Sequence, residues 1–390
     1  MPSAASADTG FVKAFVAFVI CAAVVAPASA AAGTRPSALS QAERLSGLKA
    51  HRPIRTVIES SPRFGADVLR VVDRDYPRTL QRTDDRLYVA LGLLPAGRST
   101  RAKVVAAASA LNAQYDPVGR VLRLRRKPAP TRAEVVHELV RALVDQNVGL
   151  RRLSTLRPRD RDAALAATAV VEGLAALASG RRAAALRGSP LDRFLALERT
   201  AGLGSGRTFV AQLRSVGGAF AVSSALRTFP GTTEQVLHLD KFLERERALP
   251  IALPIHVDDR ALHTSETLTA SETFGELDLR ALLRGFGLAG ADDIAGGWGG
   301  GRLALYVGAD GAATAALVVR WDSPEDAQAW RAIAPRLVAA AFPGMQERVC
   351  PAVDHCWVSG TREIASAAAR DVTVLASGTA GELVAATLVR

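Results

Sequence analysis

A histidine and a glutamate stand side by side at His137-Glu138, inside the apolar stretch Val135-Val-His-Glu-Leu-Val-Arg-Ala-Leu-Val-Asp-Gln146. This is most of a zinc-hydrolase pattern. In the arrangement HExxH, two histidines one turn apart on a helix face ligate the metal, and the glutamate beside the first polarises the metal-bound water. Here the residue four positions after His137 is Arg141. A guanidinium has donors only, stays protonated and has no lone pair to give a cation. The pattern therefore keeps a candidate ligand in His137 and a vestigial general base in Glu138, and lacks its second histidine. Asp145 continues the same face at i+8 from His137.

The helix that must carry these residues has its own start signal. Thr131 and Glu134 have the T-x-x-E spacing of a capping box, and Pro130 opposes an earlier start. Apolar residues at 135, 136, 139, 140, 142 and 143 cover more than one face, so a largely buried helix is expected over 128–146. Ahead of it, 121–125 alternates strictly and reads as a strand, preceded by the turn composition Tyr115-Asp-Pro-Val-Gly-Arg120. Behind it, 162–179 is an Ala/Leu/Val-rich helical run with Glu172 near its middle. Burying an unpaired carboxylate costs several kcal/mol or forces its protonation, so Glu172 calls for a cation, a metal or a water cavity. Further upstream, 42–48 and 101–113 read as helices, 53–58 as an edge-like strand, and the stretch ending at Tyr76 as helical.

The chain has 390 residues, room for two domains, and its 49% hydrophobic content excludes global disorder. Its charge of +11 does not imply nucleic acid. Only five of the 49 basic residues are lysine, leaving 49 − 5 = 44 arginines, a compositional bias that needs no partner. Aromatics at 5% are too sparse for base-stacking platforms. The glycine run 296–301 and Gly202-x-Gly204-x-Gly206 match neither a phosphate-binding loop nor a dinucleotide fingerprint. The first is expected as a turn entering a strand.

Residues 1–30 have the build of an export signal: a short n-region ending at Lys13, an apolar run over 14–25, and Ala28-Ser-Ala30 before a cut. Val19-Ile20 ahead of Cys21 do not suit lipid attachment. A secreted or extracytoplasmic chain starting at Ala31, with no membrane association after cleavage, is the expectation. Loss of Cys21 leaves Cys350 and Cys356, expected as a disulfide, with a metal pair beside His355 as the alternative. After Arg302 the periods change to strands over 303–307, 313–321, 356–365 and 372–376 and helices over 323–341 and 380–388. Gly308-Ala-Asp-Gly311 carries the signal of a hairpin loop.

Several segments together resemble one family. His137-Glu-Leu-Val-Arg-Ala-Leu-Val-Asp-Gln146 and Glu172-Gly-Leu-Ala175 are similar to H-E-L-x-H-A-L-x-D-Q and E-G-D-A of secreted bacterial zinc-metallopeptidase-like proteins of gluzincin type, with Arg141 and Leu174 as departures. Tyr115-Asp-Pro, Gly206-x-x-Phe209-Val210, Thr233-Glu-Gln-Val-Leu-His238 and Gly297-Trp-Gly-Gly-Gly-Arg302, with Gly301 in place of an aspartate, extend the likeness over 40–390. The resemblance implies an α+β fold. A mainly helical metallopeptidase-like domain with a small β-sheet would span 31–255, a helical connector 256–296, and a smaller α+β module 297–390. It also implies that His137 and Glu172 stand at zinc-ligand positions, Glu138 at the general base and Arg141 at the remaining ligand.

The expected function is that of a pseudo-peptidase or binding protein without metal or other cofactor. Arg141 would replace zinc as the positive centre and reach Glu172 and Glu138. Its partner would be a protein or a cell-envelope component. A rival expectation is an active zinc metallopeptidase acting on peptides through His137, Glu172 and a third donor: His238, Asp145 or water. A third is a cell-envelope interaction module using the positive surface on anionic polymers.

Overall fold

Alternation along the C-terminal strands sets the layers. Leu303, Leu305, Leu317, Val319, Ile364 and Leu375 face one core, while Ala304, Tyr306, Ala316, Val318, Ala365 and Ala376 face another. Period-two patterning of this kind places a sheet between two apolar layers. The computed structural model describes residues 37–156, 160–259 and 264–389. The expected export signal and Cys21 lie outside the described residues.

The chain is α+β with a large antiparallel sheet. Its first strands are β1 (Arg55–Glu59), β2 (Ala113–Asp116) and β3 (Val121–Arg125), in the order β1-β3-β2, with β1 parallel and β2 antiparallel to β3. The large sheet comprises β4 (His256–Asp259), β5 (Thr264–Thr273), β6 (Trp298–Gly308), β7 (Ala313–Trp321), β8 (Gln346–Arg348), β9 (His355–Ser359), β10 (Arg362–Ala369) and β11 (Val372–Gly378). Its order is β4-β5-β6-β7-β11-β10-β9-β8. One face carries helices Arg78–Ala90, Pro190–Thr200, Glu276–Gly285 and Pro324–Ala341 through Leu87, Phe194, Leu282 and Trp330. The other face carries the last helix, Gly381–Leu388, through Val384 and Ala385.

Three expectations are corrected here. About a third of the expected helical connector 256–296 is strand, since β4 and β5 join the large sheet and only Glu276–Gly285 and Ala291–Ala295 are helical. The β5 sequence, Thr264-Ser-Glu-Thr-Leu-Thr-Ala-Ser-Glu-Thr273, has the β-branched residues of a strand without an apolar alternation to reveal it. The helix expected over 101–113 ends at Ser109, because Ala113 already pairs with Leu124 in the small sheet. The glycine run is part of β6 from Trp298 onward. A Cβ on Gly300 would lie 2.3 Å from the Leu249 carbonyl oxygen and one on Gly301 2.2 Å from that of Phe274, so close backbone contact requires glycine.

A second apolar core lies between helices Ala38–Ser46, Arg132–Val148, Arg161–Ser179 and Arg207–Arg227, the last interrupted at Gly217-Gly218. It holds Val140, Leu143, Val170, Leu174, Phe209 and Val210. Helix Arg161–Ser179 is long and apolar enough to cross a membrane, but 83% of its apolar window is buried here, the condition of a core helix. Helix Arg161–Ser179, which carries Glu172, thus packs among the other helices of this core, and Glu172 is buried with it.

Candidate functional site

The capping box is formed as its spacing predicts. Thr131 accepts from the Glu134 amide and Glu134 from the Thr131 amide, which starts the helix at Arg132 and fixes the rotation of everything after it. His137 and Arg141 then lie one turn apart on a common face. Opposite them, the Glu172 helix is drawn in by glycines. A Cβ on Gly202 would stand 2.1 Å from the Glu172 Cβ, one on Gly206 2.0 Å from the Ala169 oxygen, and one on Gly173 2.3 Å from the Gly206 oxygen. The single turn Gly202–Gly206 is therefore pressed closely on this helix through Gly202 and Gly206, while Gly204 stands in open space.

Four side chains from the two helices meet. His137 Nε2 lies 2.7 Å from Glu172 Oε2, and Arg141 Nε lies 2.9 Å from Glu172 Oε1. Arg141 Nη1 donates to Glu138 Oε2 at 2.9 Å, and the Tyr115 amide donates to the same oxygen at 2.7 Å. A carboxylate only accepts, so His137 Nε2 is the donor to Glu172. His137 Nδ1 is buried with no hydrogen-bond partner among the described residues. Glu172 is 2% exposed and His137 1%. Burial alone pushes the Glu172 pKa up, and is the largest influence on it. The Arg141 charge, the His137 hydrogen bond and charge, and the Arg181 charge together outweigh burial and hold the group below the ordinary glutamate range.

These residues do not fit a resident zinc. Two ligand atoms on one tetrahedral zinc stand roughly 3.3 Å apart, given metal–ligand bonds of about 2.0–2.1 Å. At 2.7 Å the His137 and Glu172 atoms are hydrogen-bonded to each other instead. No third His, Cys, Asp or Glu donor among the described residues lies within 4.8 Å of both. The guanidinium at Arg141 already brings a permanent positive charge to both acids.

The other candidate residues have separate engagements. Asp145 accepts from the Tyr115 hydroxyl at 2.8 Å and from the Leu150 amide at 2.8 Å, holding the end of the His137 helix against β2. His238 Nε2 pairs with Glu276 Oε2 at 3.0 Å, which raises the His238 pKa, and so does not serve as a third donor to His137 and Glu172. Leu174 is wholly buried in the apolar core. Cys350 and Cys356 form a disulfide rather than a metal pair, while His355 bonds Glu347 at 3.0 Å.

Two ionic clusters have no counterpart in the sequence reading. Lys241 Nζ sits among Glu234 at 2.6 Å, Glu246 at 2.9 Å and Asp322 at 2.6 Å, tying the segment after the second core to the end of β7. Arg161, 6% exposed, meets Asp278 at 2.5 Å, Glu272 at 3.8 Å and Glu198. Next to it, Asp162 accepts from the Thr233 hydroxyl at 2.6 Å and amide at 3.0 Å. Burial, then the charge of Asp278, pushes the Asp162 pKa well up. The Arg161-Asp162 pair at the start of the Glu172 helix was open to notice as two charges opening an apolar run; their partners were not.

Among protein families, residues 265–387 match a Domain of unknown function (DUF8575). The match runs from β5 to the last helix and includes none of His137, Glu138, Arg141 and Glu172. No curated protein and no solved structure matches the chain.

Proposed function

We propose that this is an extracytoplasmic pseudo-peptidase: a metallopeptidase-like scaffold of gluzincin type in which an arginine has taken the place of the metal, and which acts by binding a protein or cell-envelope partner. One observation carries the reading. From the position of the second ligand, Arg141 reaches Glu172 and Glu138 at 2.9 Å each, the two acids that a zinc enzyme of this type would use as ligand and base. One cation has been exchanged for another, so both acids keep a counter-charge inside the protein without a metal. Glu138 is further occupied by the Tyr115 amide, which leaves it badly placed to take a proton from water. The Cys350–Cys356 disulfide supports an oxidising compartment.

The active-peptidase reading would need a third donor, and both protein candidates for it are engaged elsewhere, Asp145 with Tyr115 and Leu150 and His238 with Glu276. Metal analysis separates the two. Protein purified without added zinc is expected to hold far less than one equivalent and to leave casein and unstructured peptides intact. Stoichiometric zinc, or chelator-sensitive cleavage abolished by Glu138→Gln, would overturn the proposal.

A further inference from the structure

Away from the His137 cluster, two adjoining clefts of about 320 Å³ and about 680 Å³ open between helix Arg78–Ala90, the segment 91–100 and the large sheet. Val89, Ala96, Arg98 and Arg362 line both. Their walls are apolar: Leu305 and Ala315 from β6 and β7 in the first, Leu94, Leu191 and Phe342 in the second. Volumes of this size and mostly apolar walls suit a small organic ligand, for which pockets typically measure about 300–1,000 Å³.

The polar groups at the clefts share one preference. Arg86 and Arg98 have no side-chain ion pair or hydrogen bond among the described residues, and Arg362 has only the Phe342 ring, 5.3 Å from its guanidinium carbon. Arg86 and Arg98 are exposed and Arg362 is half-buried at the cleft walls, so three guanidinium groups border the clefts with no acid facing them among the described residues, unlike Arg74, Arg123, Arg141 and Arg161. Asp85, the carboxylate in the lining, is taken up by the Thr100 amide at 2.9 Å and hydroxyl at 2.7 Å. Lys103, in the second cleft, is paired with Asp192 at 2.5 Å. An independent sign comes from Ser377 on β11. It lines the first cleft, is 6% exposed, and its buried hydroxyl has no partner. A buried hydroxyl left unsatisfied costs free energy, so its presence beside a cleft marks where a ligand atom would bond.

We propose that the clefts form a binding site for an amphipathic organic anion, a carboxylate on an apolar chain, with its head at Arg98, Arg362 and Ser377 and its chain along Val89 and the apolar walls. The forked guanidinium donors match a carboxylate, and the hydroxyl supplies a further donor. Arg86 and Arg98 precede the matched segment 265–387, whereas Arg362 and Ser377 fall within it, so the site depends on both parts of the chain. It is independent of the pseudo-peptidase reading, since it shares no residue with the His137 cluster.

The test uses the full chain with anilinonaphthalene sulfonate as a fluorescent probe, displaced by dodecanoate or by uncharged dodecanol. Dodecanoate should displace the probe saturably, more weakly as salt rises, and about tenfold or more better than dodecanol. Arg98→Glu, on an exposed residue, and Arg362→Glu should each weaken dodecanoate by about tenfold or more with unchanged melting, and Ser377→Ala by a smaller factor. If Arg362→Glu does not fold, Arg98→Glu carries the same comparison alone. Equal displacement by dodecanol, wild-type affinity in folded Arg98→Glu, or absence of saturable binding would each overturn the proposal.

Discussion

Arg141→Ala is the perturbation that tests the centre most directly. Arg141 is 12% and Glu172 3% exposed at the side chain, so solvent screens their contact little. Removing one member of a buried pair leaves the other charge uncompensated, a loss of about 3–5 kcal/mol. The lost packing of the arginine stem falls within that range. For the helical part of the chain, this corresponds to a drop in Tm of about 6–20 °C. The cost should also depend on pH with a definite sign. In the wild type Glu172 is held below the ordinary glutamate range, so its contribution is present above the unfolded pKa and is lost as pH falls through the folded one. Without Arg141, burial dominates and the folded pKa rises above the unfolded one. The variant then takes up a proton on folding, and its deficit against wild type is largest near neutral pH and shrinks as pH falls into the glutamate range. Thermal and denaturant unfolding of wild type, Arg141→Ala, Glu172→Gln and the double variant measure this. Glu172→Gln should recover about 2–3 kcal/mol of the Arg141→Ala loss, because a neutral amide needs no counter-charge. Additive single effects, or an Arg141→Ala deficit that does not change with pH, would refute the reasoning.

Two further outcomes follow from the same geometry. Arg141→His creates an i, i+4 histidine pair facing Glu172, and calorimetry should then detect zinc binding well above that of wild type, with weak or no proteolysis; a folded variant that binds no zinc at millimolar concentration would show that the two helix faces cannot share a metal. Gly202→Ala would put a methyl 2.1 Å from the Glu172 Cβ, against an ordinary carbon contact of about 3.5–4.0 Å, and should cost about 1–3 kcal/mol in unfolding experiments and lower the Arg141–Glu172 coupling; an unchanged Tm would mean the turn yields freely.

Much was legible along the chain because its signals act over a few residues. The Thr131–Glu134 box started the His137 helix where its spacing predicts, the alternation over 121–125 became β3, and Gly308–Gly311 closed the hairpin between β6 and β7. The i, i+4 spacing of His137 and Arg141 placed both on one face, and elementary chemistry showed that a guanidinium there cannot ligate a metal. The need of Glu172 for a positive partner was likewise readable, since a carboxylate in an Ala/Leu/Val run has few alternatives. What the chain did not reveal depends on pairs far apart in sequence. β5 carries polar and β-branched residues without a core alternation, and only its pairing with β6 makes it a strand. Glycines at 202 and 206 look like a loop until the Glu172 helix lies against them. His238 was open to several partners, and the tertiary arrangement gave it Glu276. Local sequence thus determined which groups could do chemistry and on which face they stand. Distances between elements, set by how close two backbones approach, decided that Arg141, Glu138, His137 and Glu172 form one cluster of ion pairs and hydrogen bonds while Asp145 and His238 lie outside it.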